Sequence, residues 1–165
     1  MAHRPGSENW QPVALGFALS GRLLLGVVKL PVLAGVLWLA GALFVAPLSG
    51  LGAGVLLVAL IAVVVTEVLS TLVERLFVLR HQHDDPGDPI QAVLVALVPL
   101  AGGAVGGWVG APGESAGIAS ALTTLVVYLP FVLLLDRPWV QGAGRAEVKQ
   151  AWKDTKTMTK KTFRS

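Results

Sequence analysis

Two long apolar stretches constrain this chain more than any other feature of its sequence. Residues 31–66 contain no Asp, Glu, Lys or Arg, and residues 90–135 contain Glu114 alone. A helix needs roughly 20 apolar residues to cross a bilayer, and both stretches are longer than that. Only 14% of the residues are charged, whereas about 25% is usual for soluble domains. We therefore predict an all-α integral membrane protein, which excludes a soluble enzyme and a disordered chain.

The turn residues divide the apolar region into four membrane-spanning helices arranged as two hairpins. Turns containing proline or glycine separate the predicted spans, which cover about 31–46, 51–72, 90–110 and 116–135. The helical pattern of the second span continues to about Arg80, so its last turns should project beyond the bilayer. Residues 31–135 thus form the membrane domain, between an N-terminal segment over 1–30 and a tail over 136–165.

The N-terminal segment is predicted to contain an amphipathic helix on the membrane surface, over about 11–30. Arg22 and Lys29 are seven residues apart and share one helical face. A mid-segment arginine costs about 2.5–3.5 kcal/mol on insertion scales, so we prefer an interfacial helix to a fifth span. We expect both cations to snorkel to the headgroups. A cleaved signal peptide is disfavoured, because about 30 residues precede the apolar core.

The distribution of cations predicts the orientation of the chain. None of the 13 Lys and Arg residues lies in the turns at 47–50 or 111–115. Three precede the first span, two lie beside the middle loop, and eight lie between Arg137 and Arg164. Because cytoplasmic loops are enriched in Lys and Arg, both termini are predicted to be cytoplasmic, in the inner membrane of a prokaryote.

The C-terminal tail is basic and has the pattern of an amphipathic helix. Such a helix binds anionic lipid headgroups through its cations. The residues predicted to face the membrane surface are Lys149, Trp152, Lys153, Lys156 and Lys160. The alternative is a tail that only enforces topology and solubility. Nucleic acid is not an expected partner, because the tail is short and its charge is already explained by the membrane.

Glu67 is the residue best placed for chemistry, and the candidate site consists of Glu67, Glu74, Arg22 and Lys29. Glu67 shares one face of the second span with other polar residues, namely Thr66, Ser70, Thr71 and Glu74. Arg22 or Lys29 could pair with it, and an intramembrane carboxylate can serve as an ion- or proton-coupling group. The alternatives are a purely structural ion pair and a carboxylate that lies in the inner headgroup zone.

Glycines repeat at four-residue spacing in the third span. Gly102, Gly106 and Gly110 form one row, and Gly103 and Gly107 form a second row beside it. Gly117 begins a small-residue face in the fourth span. Rows of small residues let membrane helices approach closely. They predict helix packing, either between spans three and four of one chain or between two chains.

Metal-dependent and thiol chemistry have little support in the sequence. The chain has no cysteine, so disulfides, a thiol nucleophile and thiolate metal sites are excluded. Several metal-capable residues lie in a Pro- and Gly-containing turn that offers no regular geometry, so we predict a solvated loop there: His81, His83, Asp84, Asp85 and Asp88. We expect no cofactor and find no catalytic motif.

These features favour a non-catalytic accessory or scaffold subunit of a membrane complex. Its expected partners are the lipid bilayer and either further membrane subunits or further copies of the chain. One alternative is a small oligomeric transporter or channel with Glu67 as its coupling group. A second alternative is a holin-like pore former, and a third is a membrane-bound enzyme that uses the His/Asp loop.

Overall fold

The computed structural model describes residues 13–43, 46–49, 51–80, 89–110, 114–136 and 150. Regular structure in these ranges is helical, without a strand. The helices are α1 (Leu15–Leu43), α2 (Ala46–Ser49), α3 (Gly54–Arg80), α4 (Pro89–Gly110) and α5 (Glu114–Phe131). A π-helical turn over Val132–Asp136 continues α5 and begins two residues after Pro130.

Within the described ranges, four helices are long and apolar enough to span a membrane. They cover Leu15–Leu43, Gly54–Phe77, Ile90–Gly110 and Ser115–Leu134. Each presents large apolar side chains outward, for example Leu24, Leu56, Val93 and Ile118. Hydrocarbon tails are as apolar as leucine, so a bilayer accommodates such a surface. These helices indicate a membrane protein, as the uncharged stretches predict.

The long helices pack as a bundle in which each is antiparallel to its main neighbours. The most extensive contacts are those of α4 with α3 and with α5, while α1 packs mainly against α3 and also contacts α5. Arg22 near the start of α1 meets Glu74 near the end of α3. Gly110 at the end of α4 lies against Val58 near the start of α3. We call the end of the bundle where α1 begins and α3 ends the base, and the opposite end the top.

An apolar core fills the space between α1, α3 and α5. It is built from Leu33 and Leu37 of α1, from Val58, Ala59 and Ala62 of α3, and from Val127 and Tyr128 of α5. At the top, α2 is held against α1 through a close backbone approach. A Cβ atom at Gly41 would lie 2.7 Å from the Leu48 carbonyl oxygen, so only glycine fits there. Gly52, with φ of 49°, forms the turn into α3.

The first helix differs from its prediction. The sequence predicts a surface helix over 11–30 and a separate span from Pro31, but one helix covers Leu15–Leu43 with Pro31 inside it. Proline removes one backbone hydrogen bond, which membrane helices tolerate where neighbouring helices support them. The prediction that both cations snorkel is wrong for Lys29, whose side chain is 3% exposed. The Lys29 ammonium reaches a carboxylate on α3, and this ion pair takes the place of the predicted contact with lipid headgroups.

The other helices begin and end close to their predicted bounds. α3 continues to Arg80 as predicted, and the short α2 occupies the region predicted to be a turn. α5 begins at Glu114, inside the predicted turn at 111–115. The predicted polar turn at 81–88 and the predicted tail beyond 136, apart from Gln150, lie outside the described residues.

Candidate functional site

A charged pair lies in the middle of the bundle. Lys29 Nζ donates a hydrogen bond to Glu67 Oε1 at 2.9 Å, and the two side chains are 3% and 1% exposed. Lys29 is the central residue of α1 and Glu67 is the central residue of α3. At a rise of about 1.5 Å per residue, each lies about 20 Å from the ends of its helix. The pair therefore occupies the level of the bundle that is farthest from both ends.

A second pair lies two turns closer to the base. One terminal nitrogen of Arg22 donates to Glu74 Oε1, and its Nη1 lies 3.7 Å from Glu67 Oε2. The side chains of Arg22 and Glu74 are 15% and 26% exposed, so this pair is less buried than the first. Two cations of α1 thus meet two carboxylates of α3, and their formal charges balance.

The spacing of these residues in the sequence explains why both pairs form. Arg22 and Lys29 are seven residues apart on α1, and Glu67 and Glu74 are seven residues apart on α3. Seven residues make two helical turns, so each set lies on one face. The two helices are antiparallel. A single alignment therefore places Arg22 beside Glu74 and also places Lys29 beside Glu67.

Aromatic rings of α5 provide Lys29 with further contacts. Its Nζ lies 5.0 Å from the ring centroid of Tyr128 and 5.8 Å from that of Phe131. The two rings pack edge to face, with centroids 6.4 Å apart and planes at 60°. An ammonium within about 6 Å of an aromatic centroid is attracted by the negative face of the ring. No local spacing in the sequence links α5 to α1, so the sequence does not indicate that Tyr128 and Phe131 lie beside Lys29.

Small and hydroxylated residues allow α1 to approach the carboxylate closely. A Cβ atom at Gly26 would lie 2.9 Å from Val63 Cγ1 and 3.4 Å from Glu67 Cγ. Thr71 Oγ1 donates to the Glu67 carbonyl oxygen at 2.7 Å, which is a bond within α3. The side chains of Ser70 and Thr71 are buried on the same face. The predicted polar face of α3 is therefore turned inward, toward the cluster.

Arg75 is an additional polar contact at the base that sequence reasoning missed. Its Nη1 donates to the carbonyl oxygen of Val13 at 2.8 Å. Val13 precedes α1, so this bond ties the chain before the first helix to the last turns of α3. The sequence offered no signal for it, because the acceptor is a backbone atom.

Three buried hydroxyl groups of α3 and α5 have no hydrogen-bond partner among the described residues. They belong to Thr66 of α3 and to Ser120 and Thr124 of α5, which are 1%, 0% and 0% exposed. Thr66 lies against Gly102 of α4, and Thr124 lies against Gly103. A buried hydroxyl without a partner costs free energy, so its presence calls for an explanation.

Both glycine rows of α4 are used for contacts within the chain. A Cβ atom at Gly106 would lie 2.6 Å from the Val58 carbonyl oxygen of α3, and the row of Gly102 and Gly110 faces the same helix. A Cβ atom at Gly107 would lie 2.7 Å from the Ala116 carbonyl oxygen of α5, and Gly103 faces α5 as well. The two rows thus let α4 approach α3 on one side and α5 on the other.

Gly117 is the remaining predicted site residue that the structure describes. It belongs to α5 and lies near Trp108 of α4, where an added Cβ atom would be 3.3 Å from Cδ1 of the indole. The predicted membrane-surface residues of the tail lie outside the described residues, as do the metal-capable residues of the 81–88 turn. In the part of the chain that the structure describes, no three His, Cys, Asp or Glu residues cluster as metal ligands would.

Fold and site together define a small helical membrane protein with a network of charged residues between α1 and α3. The sequence matches no protein-family model, and neither a curated protein nor a solved structure matches it.

Proposed function

We propose that this chain is a small membrane transport protein in which Glu67, paired with Lys29, takes up and releases the transported ion or proton. The observation that carries the proposal is the position of this buried pair at the centres of α1 and α3. Ionisable side chains are costly inside a bilayer, and where they occur they commonly mark ion pathways and proton relays. A buried ion pair that serves packing alone adds little to the free energy of unfolding, since well-packed apolar residues in its place often stabilise a protein as much.

The surroundings of the pair stabilise Lys29 in both states of Glu67. When Glu67 is neutralised by a proton or a cation, Lys29 loses its anionic partner. The rings of Tyr128 and Phe131, at 5.0 and 5.8 Å from Nζ, still attract the ammonium. Arg22 is bonded to Glu74, so its main carboxylate partner is not the one that is neutralised. These contacts offset part of the free energy that Lys29 loses when Glu67 is neutralised.

A polar route connects Glu67 to the base of the bundle. Arg22 lies 3.7 Å from the second carboxylate oxygen of Glu67 and contacts Glu74, which is 26% exposed. An ion or proton released from Glu67 thus passes charged, partly exposed side chains on its way out. From the distribution of cations, we place the base on the cytoplasmic side of an inner membrane, with both termini on that side.

An accessory or scaffold subunit is the alternative function, which the composition favours. The glycine rows give the scaffold function little support, because they contact α3 and α5 of the same chain and not a partner. A scaffold has no need of charged side chains at the centres of its helices. It does, however, tolerate them as a structural pair, so the two functions make different predictions for a variant without the pair.

The test is an ion-flux measurement on the purified chain in proteoliposomes. Dyes for H⁺, Na⁺ and K⁺ inside the vesicles report flux under a chemical gradient and a membrane potential. The decisive variant is Lys29→Met/Glu67→Leu, which removes both charges together and leaves neither unpaired, so the fold should persist. Ser20→Ala is the control, because the Ser20 hydroxyl is exposed and bonds only the Gly16 carbonyl of its own helix.

The outcomes separate transport from a structural role. We expect wild-type and Ser20→Ala vesicles to carry flux, and vesicles with the folded double variant to carry little or none. Flux that persists in the folded double variant would show that the pair is structural and would refute Glu67 as the coupling group.

A further inference from the structure

We propose that the transported species is the proton, and that buried hydroxyl groups of α5 carry it between the top of the bundle and the Lys29–Glu67 pair. This inference rests on the proposed function, to which it adds the substrate and its path. Ser120, Thr124 and Tyr128 follow one another at four-residue spacing and are 0%, 0% and 1% exposed. They therefore form one buried row along α5, which we call the hydroxyl row.

The dimensions of the row suit a chain of alternating hydroxyls and water molecules. Four residues of helix rise about 6 Å, which is about two hydrogen-bond lengths. One water molecule between successive hydroxyls would therefore bridge each step. The row reaches the ion pair through Tyr128, whose ring centroid lies 5.0 Å from Lys29 Nζ. Lys29 in turn bonds Glu67 at 2.9 Å.

The hydroxyls of Ser120 and Thr124 differ from others in the bundle in their bonding. Thr71 and Thr123 donate to carbonyl oxygens of their own helices at 2.7 and 2.8 Å, which is the usual arrangement for a helical threonine. The hydroxyl oxygens of Ser120 and Thr124 have no such partner among the described residues, and the same holds for Thr66 beside Glu67. Hydroxyls that are not committed to their own helix are available to water molecules in the row.

Glycine on α4 keeps a side chain away from this row. A Cβ atom at Gly103 would lie 2.6 Å from Thr124 Oγ1, and one at Gly107 would lie 2.9 Å from Ser120 Cβ. These glycines leave the hydroxyls in place while the helices pack closely. A proton moves along hydrogen bonds and needs no open pore, whereas a larger cation does. The path therefore needs room for single water molecules between the hydroxyls and no wider channel.

The transfer conserves protons at every step. A proton from water at the top binds a hydroxyl or water oxygen in the row, which passes a different proton to the next oxygen. The Glu67 carboxylate accepts the proton that arrives and becomes a carboxylic acid, while Lys29 stays over the aromatic rings. Glu67 then releases a proton to water at the base near Glu74, which restores the starting state. One proton enters and one leaves for each cycle.

The test measures proton flux into proteoliposomes that contain a pH-sensitive dye, driven by a potassium potential with valinomycin. Thr124→Val keeps the shape of the side chain and removes the hydroxyl. Thr123→Val is the matched control, because it makes the same change one residue away in a group bonded to its own helix. We expect Thr124→Val to reduce proton flux about tenfold or more and Thr123→Val to stay within about twofold of wild type.

Two further variants keep the test decisive if Thr124→Val does not fold. Ser120→Ala removes the next hydroxyl of the row, and Tyr128→Phe removes the last one while keeping its ring over Lys29. Flux that requires the Lys29–Glu67 pair but is unchanged in Ser120→Ala, Thr124→Val and Tyr128→Phe would overturn the hydroxyl row and leave the proposed function standing. Flux of Na⁺ or K⁺ in place of H⁺ would overturn the proton as substrate. Absence of flux of any ion in the wild type would overturn both.

Discussion

Lys29 and Glu67 are the central residues of their two helices, and their charged atoms lie 2.9 Å apart. The pair is one of two rungs, since Arg22 and Glu74 meet two turns closer to the base. The two rungs are seven residues apart on α1 and seven residues apart on α3, so one alignment of the two helices forms both. A slip of α1 by one residue would rotate Arg22 and Lys29 by about 100°, away from the carboxylates of α3. The network therefore fixes the register of α1 as well as providing the candidate site.

Removing one charge of the central pair should destabilise the chain much more than removing both. In Glu67→Leu, Lys29 remains buried without its carboxylate, and we expect a loss of about 3–5 kcal/mol in the free energy of unfolding. In Lys29→Met/Glu67→Leu, no charge of this pair is left unpaired. The free energy of unfolding should then fall by no more than about 1 kcal/mol, or rise. Reversible unfolding in detergent micelles measures both values. Equal losses in the two variants would contradict the pairing.

Replacing Gly106 by alanine and replacing Gly35 by alanine should change the stability in opposite directions. A Cβ atom at Gly106 would lie 2.6 Å from the Val58 carbonyl oxygen, and because a backbone atom yields little, we expect Gly106→Ala to cost about 1–3 kcal/mol. Gly35 has no atom within 4 Å of the added Cβ, so Gly35→Ala should gain up to about 1 kcal/mol from helix propensity. The midpoints of thermal unfolding in one detergent compare the two. A higher midpoint for Gly106→Ala would show that α3 and α4 are not in the contact described.

Loss of the Arg75 side chain should loosen the start of α1. Its Nη1 bonds the Val13 carbonyl oxygen at 2.8 Å, so Arg75→Met leaves the chain before α1 without this tie. We expect amide hydrogen exchange to rise over residues 13–20 while residues 30–40 stay protected. Ser20→Ala is the control, since it removes a hydroxyl from the same segment that bonds only within α1. Unchanged exchange in Arg75→Met would show that the bond does not hold this segment.

The predicted orientation is testable with introduced cysteines, because the natural chain has none and gives no background. Ser49→Cys lies in α2 at the top, and Ser165→Cys lies at the C-terminus. With both termini cytoplasmic, an impermeant maleimide should label Ser49→Cys in intact bacterial cells and should label Ser165→Cys only after lysis. The reverse pattern would invert the orientation and move the base of the bundle to the outer side.

The helices themselves could be predicted from sequence because apolar length and turn residues are local properties. α3 continues to Arg80 and α4 covers the third span as predicted. Pro31 is the exception. The sequence predicts it at the start of a helix and it lies inside one, because tertiary contacts of the segment before it outweigh the single hydrogen bond that proline removes.

By itself, the sequence determined the helical membrane class, the shared polar face of α3 and the candidate residues Arg22, Lys29, Glu67 and Glu74. It could not decide how α1 lies, because an interfacial helix and a buried helix carry the same residues. Only the tertiary structure decided that Lys29 meets Glu67 at the centre of the bundle under two aromatic rings of α5. It also assigned one glycine row of α4 to α3 and the other to α5. The physical reason is that such contacts join residues far apart in the chain, and their distances depend on the register between helices, which no local pattern encodes.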